Sequence, residues 1–406
     1  MKTNKIILYG LGKLGLPLSL IFSQKIYVKG IDIDKNKVQN LNLSVVPFFE
    51  PQLNEYLKSS KENITFYDSE NYDLDDVDIA VILVNTPSNE NGEFSNQYIY
   101  DVLNSLCDKL EKSDKKDFLI ILSSTVMPGS CSEIIEYIET KSKRTLNESF
   151  GFAYIPDLVA LGSVIKDFEN PDLLILGSSE KRYGDLAETL YKKIIKNDAP
   201  IVRMSLIESE ITKVSLNAYI TMKISFANFI GNVSEKFNCN PNNITKALGY
   251  DKRISPYYIK SGVSFGGTCF PRDTWAFIKM SESIGLDAIH IKATQKINEQ
   301  QNINLLNKLA NFKNKKIGIL GLSFKPNTMV TTESAGLILY ESLKKLNYNV
   351  YGCDELVETD FNYNNISVFF EKCDVIVLLH DNKKYLTENL EILETKILIN
   401  PWNINF

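Results

Sequence analysis

Residues 5–15 read Lys5-Ile6-Ile7-Leu8-Tyr9-Gly10-Leu11-Gly12-Lys13-Leu14-Gly15, an apolar run that ends in a GxGxxG pattern. The run predicts a buried strand, and residues 16–22 predict the helix that follows it. A second predicted strand, residues 26–31, ends at Asp32, whose carboxylate can accept hydrogen bonds from the ribose of a dinucleotide. We therefore predict a Rossmann fold that binds NAD rather than NADP, because an acid at this place would repel a 2′-phosphate.

Two further apolar runs, residues 77–84 and 117–122, predict strands of the same sheet. Thr86 follows the first run and Thr125 follows the second, and doubly wound sheets bind ligands at the edge where their parallel strands end. The helices that cross over between strands are predicted at residues 97–110 and 130–138. Residues 1–205 are therefore predicted to form one α/β domain.

A long helix is predicted after this domain. Ser205 and Glu208 have the spacing of a capping box, and the apolar periodicity that follows them runs to about residue 237. Lys213 and Asn217 are four residues apart on this helix. Because side chains at that spacing share one face of a helix, the two polar groups are expected to point the same way.

Three shorter helical segments follow the long helix, at residues 240–248, 274–284 and 288–309. Together they predict an all-α domain over residues 206–310. A helix as long as the first one is typical of a connection between domains or of a dimer interface. We therefore expect a homodimer that makes its contact through this central domain.

After the helical section, the strand pattern of the first half returns. Residues 316–321 correspond to the first strand, residues 349–354 to the second, which again ends in an aspartate, and residues 373–379 to the third. A full GxGxxG is missing, so the third domain, residues 311–406, is expected to bind something other than the dinucleotide, with Lys325 at its ligand edge. The predicted fold class is α/β, with two Rossmann-like doubly wound sheets joined by a central all-α domain with a long connecting helix.

The central domain contains the stretch Ser264-Phe265-Gly266-Gly267-Thr268-Cys269-Phe270-Pro271-Arg272-Asp273. Here a thiol stands between two glycines and an aspartate, just before a predicted helix. A helix N-terminus and a neighbouring arginine, Arg272, both favour the thiolate form of Cys269. Asp273 follows four residues later and is near enough to share a site. The stretch predicts a nucleophile, although a buried structural thiol is the usual fate of a single cysteine.

Composition excludes several classes of protein. The 406 residues are 44% hydrophobic and 23% charged, which is typical of a globular chain, and a net charge of −5 leaves no basic surplus for nucleic acid or anionic lipid. Six scattered cysteines without a CxxC pair, and only two histidines, predict neither a disulfide framework nor a metal site. No apolar run reaches the roughly 18 residues of a membrane span, and the first strand leaves no room for a signal peptide. We therefore expect a cytoplasmic enzyme that binds neither nucleic acid nor membrane.

Taken together, these motifs resemble the UDP-glucose/GDP-mannose dehydrogenase family over residues 10–333, and more weakly to the end of the chain. The resemblance implies an NAD-dependent enzyme that oxidises the C6 primary alcohol of a nucleotide sugar to a carboxylate, using two NAD⁺ per substrate, in the synthesis of a surface polysaccharide such as a capsule. Further matching motifs are Glu50-Pro51, Asn85-Thr86-Pro87, residues 124–129, residues 162–172, residues 223–226, Arg253-Ile254 and residues 321–326.

The resemblance implies a role for each matching residue. Cys269 would attack the C6 aldehyde to give a thiohemiacetal, and oxidation of that adduct would leave a thioester for water to hydrolyse. Lys213 and Asn217 would stabilise the negative oxygen that develops at C6, while Asp273 and Thr125 would orient a water for proton transfer. The implied cofactor contacts are Gly10, Gly12, Leu14, Gly15, Asp32, Lys37, Thr86, Thr125 and Arg272. The implied substrate contacts are Asp157, Lys213, Asn217, Arg253, Tyr258, Gly262, Gly266 and Lys325.

The chain departs from the family pattern in three places. Where the family has Pro-Glu-Phe-Leu-Arg-Glu-Gly, residues 156–162 carry Asp157 for the first glutamate and Leu161 for the second. Asp157 remains a candidate base, although its side chain is shorter by about 1.5 Å, the length of one C–C bond. Thr332 stands at the position where the family pattern has an arginine that points toward the cofactor site. At the end of the chain, Asn400-Pro401-Trp402-Asn403 replaces the family's Asp-x-Arg-Asn.

UDP-glucose is the substrate that the resemblance favours, and three alternatives remain open. A UDP-N-acetylhexosamine dehydrogenase, or one for another hexose, is the nearest rival, although that rival usually carries Pro-Glu-Arg where residues 156–158 lie. A catalytically silent protein that binds a nucleotide sugar is suggested by Asp157, Leu161 and Thr332. A two-electron hydroxyacid dehydrogenase would leave Cys269 and the third domain without a role.

Overall fold

The computed structural model describes residues 5–359, 363, 365–381 and 390–404. The chain divides into two compact units, Met1–Lys213 and Val214–Phe406. Each unit contains one sheet, and the helices predicted between the two sheets are present. The predicted α/β fold class is therefore confirmed.

The first unit contains an eight-stranded sheet in the order β3-β2-β1-β4-β5-β6-β7-β8. Every neighbouring pair is parallel except β6 and β7, which pair antiparallel. In chain order these strands are Lys5–Tyr9, Tyr27–Asp32, Ile64–Asp68, Ile79–Ile82, Phe118–Leu122, Phe150–Tyr154, Leu174–Ser178 and Ile201–Met204.

Both faces of this sheet are covered, because successive side chains of a strand point to opposite faces. In β1, Ile6 and Leu8 pack into one core cluster and Ile7 and Tyr9 pack into another. Strands that are buried on both faces need a helical layer on each side, which explains their continuous apolar sequence. The helices α1 to α7 are Gly15–Ser23, Lys35–Asn42, Leu53–Ser59, Gln97–Glu111, Ser130–Ser142, Val164–Glu169 and Lys181–Tyr191.

The predicted long helix is α8, Leu206–Lys236, with 31 residues. At about 1.5 Å per residue it is about 46 Å long. Its capping box forms as predicted: Ser205 N and Ser205 Oγ donate to Glu208 Oε2 at 2.7 and 2.6 Å. The boundary between the two compact units falls inside this helix.

Three more helices follow in the second unit: α9 (Pro241–Tyr250), α10 (Phe270–Ser283) and α11 (Ile289–Lys308). Helix α10 begins at Phe270, four residues before its predicted start. The earlier start is possible because Pro271 lies in the first turn, where its missing N–H is not needed by the helix. None of the helices in the described residues is long and apolar enough to cross a membrane.

The second sheet has four parallel strands in the order β10-β9-β11-β12. They are β9 (Lys316–Leu320), β10 (Asn349–Cys353), β11 (Val375–Leu378) and β12 (Ile397–Ile399), with helices α12 (Ala335–Lys345), α13 (Ile366–Lys372) and α14 (Leu390–Leu393). The predicted return of the strand pattern is therefore present in this unit.

The two sheets also repeat the same turn after their first strand. Gly10 N donates to Ile31 O at 2.8 Å, and Gly321 N donates to Cys353 O at 2.8 Å. In each case the next N–H binds the aspartate that ends the neighbouring strand: Leu11 N lies 2.8 Å from Asp32 Oδ2, and Leu322 N lies 2.8 Å from Asp354 Oδ2. The likeness of the two halves therefore extends to individual hydrogen bonds.

Candidate active site

The turn between β1 and α1 brings the predicted dinucleotide-binding glycines together. Gly10 has φ of 92°, and a Cβ there would lie 2.2 Å from Leu83 O. A Cβ on Gly15 would lie 1.9 Å from Gly10 O, so a larger residue would clash with the backbone. At Gly12 no neighbouring atom lies within 4 Å of a Cβ, which leaves open space beside the start of α1, where Leu14 is the N-cap. A pyrophosphate fits this arrangement, because the first N–H groups of a helix have no partner within the helix.

Asp32 is buried at the end of β2, with 7% of its surface exposed. Its Oδ2 accepts hydrogen bonds from Leu11 N at 2.8 Å and from Lys37 Nζ at 2.9 Å, and its Oδ1 accepts from Asp34 N at 2.9 Å. A carboxylate has about four lone-pair sites, so capacity remains for a ribose hydroxyl. Lys37, also predicted at the cofactor site, is the cation that balances this buried charge.

Hydroxyl groups join the ends of β4 and β5. Thr86 Oγ1 donates to Thr125 O at 2.6 Å, and Ser124 Oγ accepts from Val84 N at 2.9 Å and donates to Val84 O at 2.8 Å. Thr86 and Thr125 therefore lie side by side at the carboxyl edge of the sheet, where sequence reasoning expected ligands.

A residue that sequence reasoning missed holds the start of α5. Glu210 of α8 is buried, and its carboxylate accepts hydrogen bonds from Gly129 N at 2.8 Å and from Cys131 N at 2.6 Å. It thereby ties the segment that follows Thr125 to the first turns of α8, three residues before Lys213. Burial raises the pKa of the Glu210 carboxyl, while the two backbone donors oppose this. The sequence signal was weak, because a glutamate in a helix usually faces solvent.

Asp157 and Lys213 lie together in the first unit. Lys213 is buried and its ammonium group donates to the backbone oxygen of Asp157. The carboxyl of Asp157 is buried as well, and its Oδ2 has no hydrogen-bond partner among the residues that the structure describes. Burial raises the pKa of Asp157 to about 7, although the charge of Lys213 opposes the shift. A carboxyl whose pKa lies near neutral pH is suited to take up and release a proton.

In the second unit, Cys269 is exposed and is the N-cap residue of α10. Asp273 lies one turn further on and is buried, and its N–H donates to Cys269 O at 2.8 Å. Its carboxylate is held on both oxygens: Asn217 Nδ2 donates to Oδ2 at 2.6 Å, and Arg272 Nε donates to Oδ1 at 3.0 Å. The structure therefore brings four predicted site residues of this unit, Cys269, Asp273, Asn217 and Arg272, into one connected group.

The two glycines before Cys269 make close contacts with the C-terminal part of the same unit. A Cβ on Gly266 would lie 2.1 Å from Glu333 O. Gly267 has φ of 87°, and a Cβ there would lie 2.8 Å from the ring of Phe324. Gly267 N also donates to Thr332 O at 2.9 Å. The absence of a side chain at these two glycines thus lets protein backbone and an aromatic ring approach, and the substrate contact implied for Gly266 stays a prediction.

The remaining predicted substrate contacts lie in the second unit. Arg253 is exposed and forms an ion pair with Asp251 at 2.6 Å. Tyr258 is half-exposed and packs edge-on against Phe270. A Cβ on Gly262 would lie 2.2 Å from the ring of Trp402, one of the residues in which the chain departs from the family pattern. Lys325 lies in the turn after β9, with Nζ 5.6 Å from the ring of Phe324.

Metal chemistry has no candidate site in the described residues, where no three His, Cys, Asp or Glu side chains are grouped to hold an ion. The first unit offers a buried lysine and a carboxyl whose pKa is raised to about 7, and the second unit offers an exposed thiol. These are the parts needed for covalent catalysis assisted by proton transfer.

Comparison with known proteins finds the UDP-glucose/GDP-mannose dehydrogenase family in three segments. Its NAD binding domain matches residues 4–195, its central domain residues 207–300 and its UDP binding domain residues 318–405. A UDP-glucose 6-dehydrogenase of Rickettsia felis is 33% identical over 354 residues, which cover 85% of this chain and 77% of that protein. A GDP-mannose 6-dehydrogenase of Pseudomonas syringae is 29% identical, covering 87% of this chain and 81% of that protein. The structure of a UDP-glucose dehydrogenase from Pyrobaculum islandicum matches with a TM-score of 0.89 and 25% identity, covering 99% and 95% of the two chains.

Proposed function

Since the chain belongs to the UDP-glucose/GDP-mannose dehydrogenase family, we propose that it oxidises C6 of UDP-glucose to the carboxylate of UDP-glucuronate. The enzyme is an NAD-dependent oxidoreductase, and its substrate is a nucleotide sugar. The observation that carries the proposed chemistry is the group around Cys269: an exposed thiol at the start of α10, one turn from a buried aspartate that Asn217 and Arg272 hold.

The proposed reaction begins at the C6 hydroxyl group. Bound NAD⁺ supplies the hydride acceptor for each of the two oxidations, and Gly12, Asp32 and Lys37 would hold it in the turn after β1. The alcohol loses its hydroxyl proton and a hydride, which leaves an aldehyde. Lys213 stabilises the alkoxide that forms on the way, because its ammonium group is buried and already oriented by the backbone oxygen of Asp157.

The second oxidation proceeds on the enzyme. The Cys269 thiolate adds to the aldehyde carbon, and the carbonyl π electrons move to oxygen, where Asn217 donates a hydrogen bond. Loss of a second hydride from C6 gives a thioester. Water then attacks the thioester while Asp157 accepts its proton, and Cys269 leaves as a thiolate. The balance per sugar is one water and two NAD⁺ consumed, and two NADH and three protons released.

The identity of the sugar and base is tested by a panel of nucleotide sugars scanned for NADH formation. We expect UDP-glucose to be preferred, with two NADH formed per sugar, because residues 318–405 match a domain described as UDP binding. GDP-mannose and UDP-N-acetylhexosamines are the competitors in the panel. A stoichiometry of one NADH would overturn the four-electron reaction, and a preference for another sugar would overturn the proposed substrate alone.

Asp32→Ala is expected to weaken NAD⁺ binding and to improve the relative binding of NADP⁺. The substitution removes an acceptor for the ribose hydroxyls, and it also releases Lys37, whose ammonium group then attracts a 2′-phosphate. Titration of both cofactors against the purified protein measures this. Asp34→Ala is a matched control, because Asp34 only caps α2 next to Asp32. Unchanged binding of both cofactors would contradict the assignment of this site.

The proposed enzyme is a homodimer that makes its contact along α8. In the second unit, Tyr219, Phe226 and Val233 repeat every seven residues, and Phe229 lies between the last two. Their exposed fractions, 58%, 50%, 37% and 50%, are large for apolar side chains, and such a repeat is typical of a helix that packs against another helix. Light scattering tests the proposal, and a protein that remains a monomer at micromolar concentration would contradict it.

We further place this enzyme in the cytoplasm, in the synthesis of a surface polysaccharide. All six cysteines lie in the described residues and none is in a disulfide, which fits a reducing compartment. A uronate attached to UDP is chemically activated for transfer of the sugar, so a glycosyltransfer reaction is the step that would consume the product.

A further inference from the structure

Glu50 is a buried acid that the reaction above does not use. It belongs to the Glu50-Pro51 motif and lies just before α3, with 7% of its surface exposed. Its Oε2 accepts a hydrogen bond from Gly162 N at 2.9 Å, and its Oε1 accepts one from Val164 N at 2.8 Å. Both carboxylate oxygens therefore accept hydrogen bonds from the backbone of a segment more than a hundred residues away in sequence.

The segment that Glu50 holds connects β6 to α6 and has no regular structure of its own. Asp157 lies in it, five residues before Gly162. Asp167 of α6 binds the end of this segment: its Oδ2 accepts hydrogen bonds from Ala160 N at 2.9 Å and from Ser163 Oγ at 2.8 Å. The path of the backbone from Asp157 to α6 is thus fixed by two carboxylates, and Glu50 is the one that reaches it from another part of the fold.

Asp157 is buried near the start of this segment. Asp157 is one of the residues that line a cavity of about 20 Å³, which is room for about one water molecule. The titratable groups near this carboxyl come from three helices: Lys213 from α8, Tyr191 from α7 and Asp167 from α6. Of these, only Lys213 carries a positive charge, and its ammonium group binds the backbone oxygen of Asp157. Exclusion of water therefore dominates the environment of the carboxyl.

We propose that Glu50 is a positioning residue that keeps Asp157 in its water-poor setting and thereby sets the pH range in which Asp157 can accept a proton. The inference rests on the proposed role of Asp157 as the base of thioester hydrolysis. A carboxylate that accepts two backbone N–H groups makes charge-assisted hydrogen bonds, which are stronger than neutral ones. Glu210 holds the start of α5 in the same way, through the N–H groups of Gly129 and Cys131.

Glu50→Gln tests the inference. The amide keeps one acceptor oxygen and turns an NH₂ group toward the second backbone N–H, so one of the two hydrogen bonds is lost and the segment loosens. Bulk solvent can then hydrate the carboxyl of Asp157. Because burial is the main cause of its raised pKa, the pKa of Asp157 should fall toward the ordinary range. The pH at which hydrolysis reaches half its maximal rate should move down by about one unit.

The measurement is the decay of the Cys269 adduct, followed by rapid quenching and intact mass after mixing with UDP-glucose and NAD⁺ over a range of pH. Glu55→Gln is the matched control, because Glu55 is an exposed acid on α3, and its profile should equal that of the wild type. The maximal rate of Glu50→Gln should fall by about tenfold, since small displacements of a catalytic group are costly. KM for NAD⁺ should not change.

A double variant separates the possible outcomes. If Glu50 acts through Asp157, then Glu50→Gln should have almost no further effect in the Asp157→Asn background. An equal effect in both backgrounds, or a pH profile like that of Glu55→Gln, would overturn the inference while leaving Asp157 as the base. Normal hydrolysis in Asp157→Asn alone would overturn both the base and the inference. Should Glu50→Gln fail to fold, Glu50→Asp, which keeps the charge but shortens the reach, should show the same downward shift, and an unshifted profile would overturn the inference.

Discussion

Cys269→Ser is expected to reduce turnover of UDP-glucose to less than about a tenth of the wild-type rate, because a serine hydroxyl at neutral pH is a far weaker nucleophile than a thiolate. Cys269 is exposed and is the N-cap of α10, so the substitution replaces one sulfur atom with oxygen without creating a buried cavity. Binding of UDP-glucose and of NAD⁺ should remain, since neither depends on the covalent step. Initial rates of NADH formation and calorimetric titration of both ligands measure the two effects separately.

Cys239→Ser is the matched control for this experiment. Cys239 is the other exposed cysteine of the chain, and it lies in the same unit. Its replacement should leave turnover unchanged. A Cys269→Ser enzyme that keeps more than about a tenth of the wild-type rate would contradict the thioester mechanism. Loss of nucleotide-sugar binding in the same variant would show that the residue holds the substrate rather than attacking it.

Asp157→Asn should slow hydrolysis of the thioester by about a hundredfold, the usual contribution of a general base. The adduct on Cys269 should then accumulate and be visible by intact mass. In the wild type, burial raises the pKa of Asp157 to about 7. Below that pH the carboxyl is protonated and cannot accept a proton from water, so hydrolysis should fall as the pH falls through 7. The Asn variant should lack this dependence on pH.

Asp157→Glu is the companion variant, because the family pattern has a glutamate at this position. It keeps the carboxyl and lengthens its reach, so it should remain active or become faster. Near-normal turnover in Asp157→Asn, with no adduct, would show that Asp157 is structural and that proton transfer belongs to Asp273, Lys213 or water alone.

The parts of the fold that sequence reasoning predicted are those in which local pattern and tertiary environment agree. Residues 5–15 predicted β1, the turn and α1, because a GxGxxG pattern between a strand and a helix has a single physical explanation. The capping box of Ser205 and Glu208 predicted the start of α8 equally well. By contrast, the start of α10 was predicted at residue 274, four residues after the true start at Phe270, because helix ends are the least certain part of such a prediction.

The contacts that escaped prediction join residues far apart in sequence, although one of these residues, Glu50, belongs to a motif named in the sequence analysis. Glu50 binds the start of α6, and Glu210 binds the start of α5, 79 residues away. Their partners are backbone N–H groups, which every residue type except proline supplies, so no pattern of side chains marks them. The burial of Asp157 could not be predicted either, because it results from packing between segments that are far apart in sequence. A sequence shows that a carboxyl is present, but only the packed fold shows that it is shielded from bulk solvent.

The contact between the glycines before Cys269 and the C-terminal segment has a consequence for how this protein can be divided. Family boundaries place Cys269 within residues 207–300 and the UDP binding domain within residues 318–405. Yet Gly266 packs against Glu333 O, and Gly267 binds Thr332 O, with no room for a side chain between them. The loop that carries Cys269 therefore does not belong to the central helices alone. A truncation before residue 318 would remove Thr332 and Glu333, against which the loop before Cys269 packs, so we expect the loop and the C-terminal segment to unfold together.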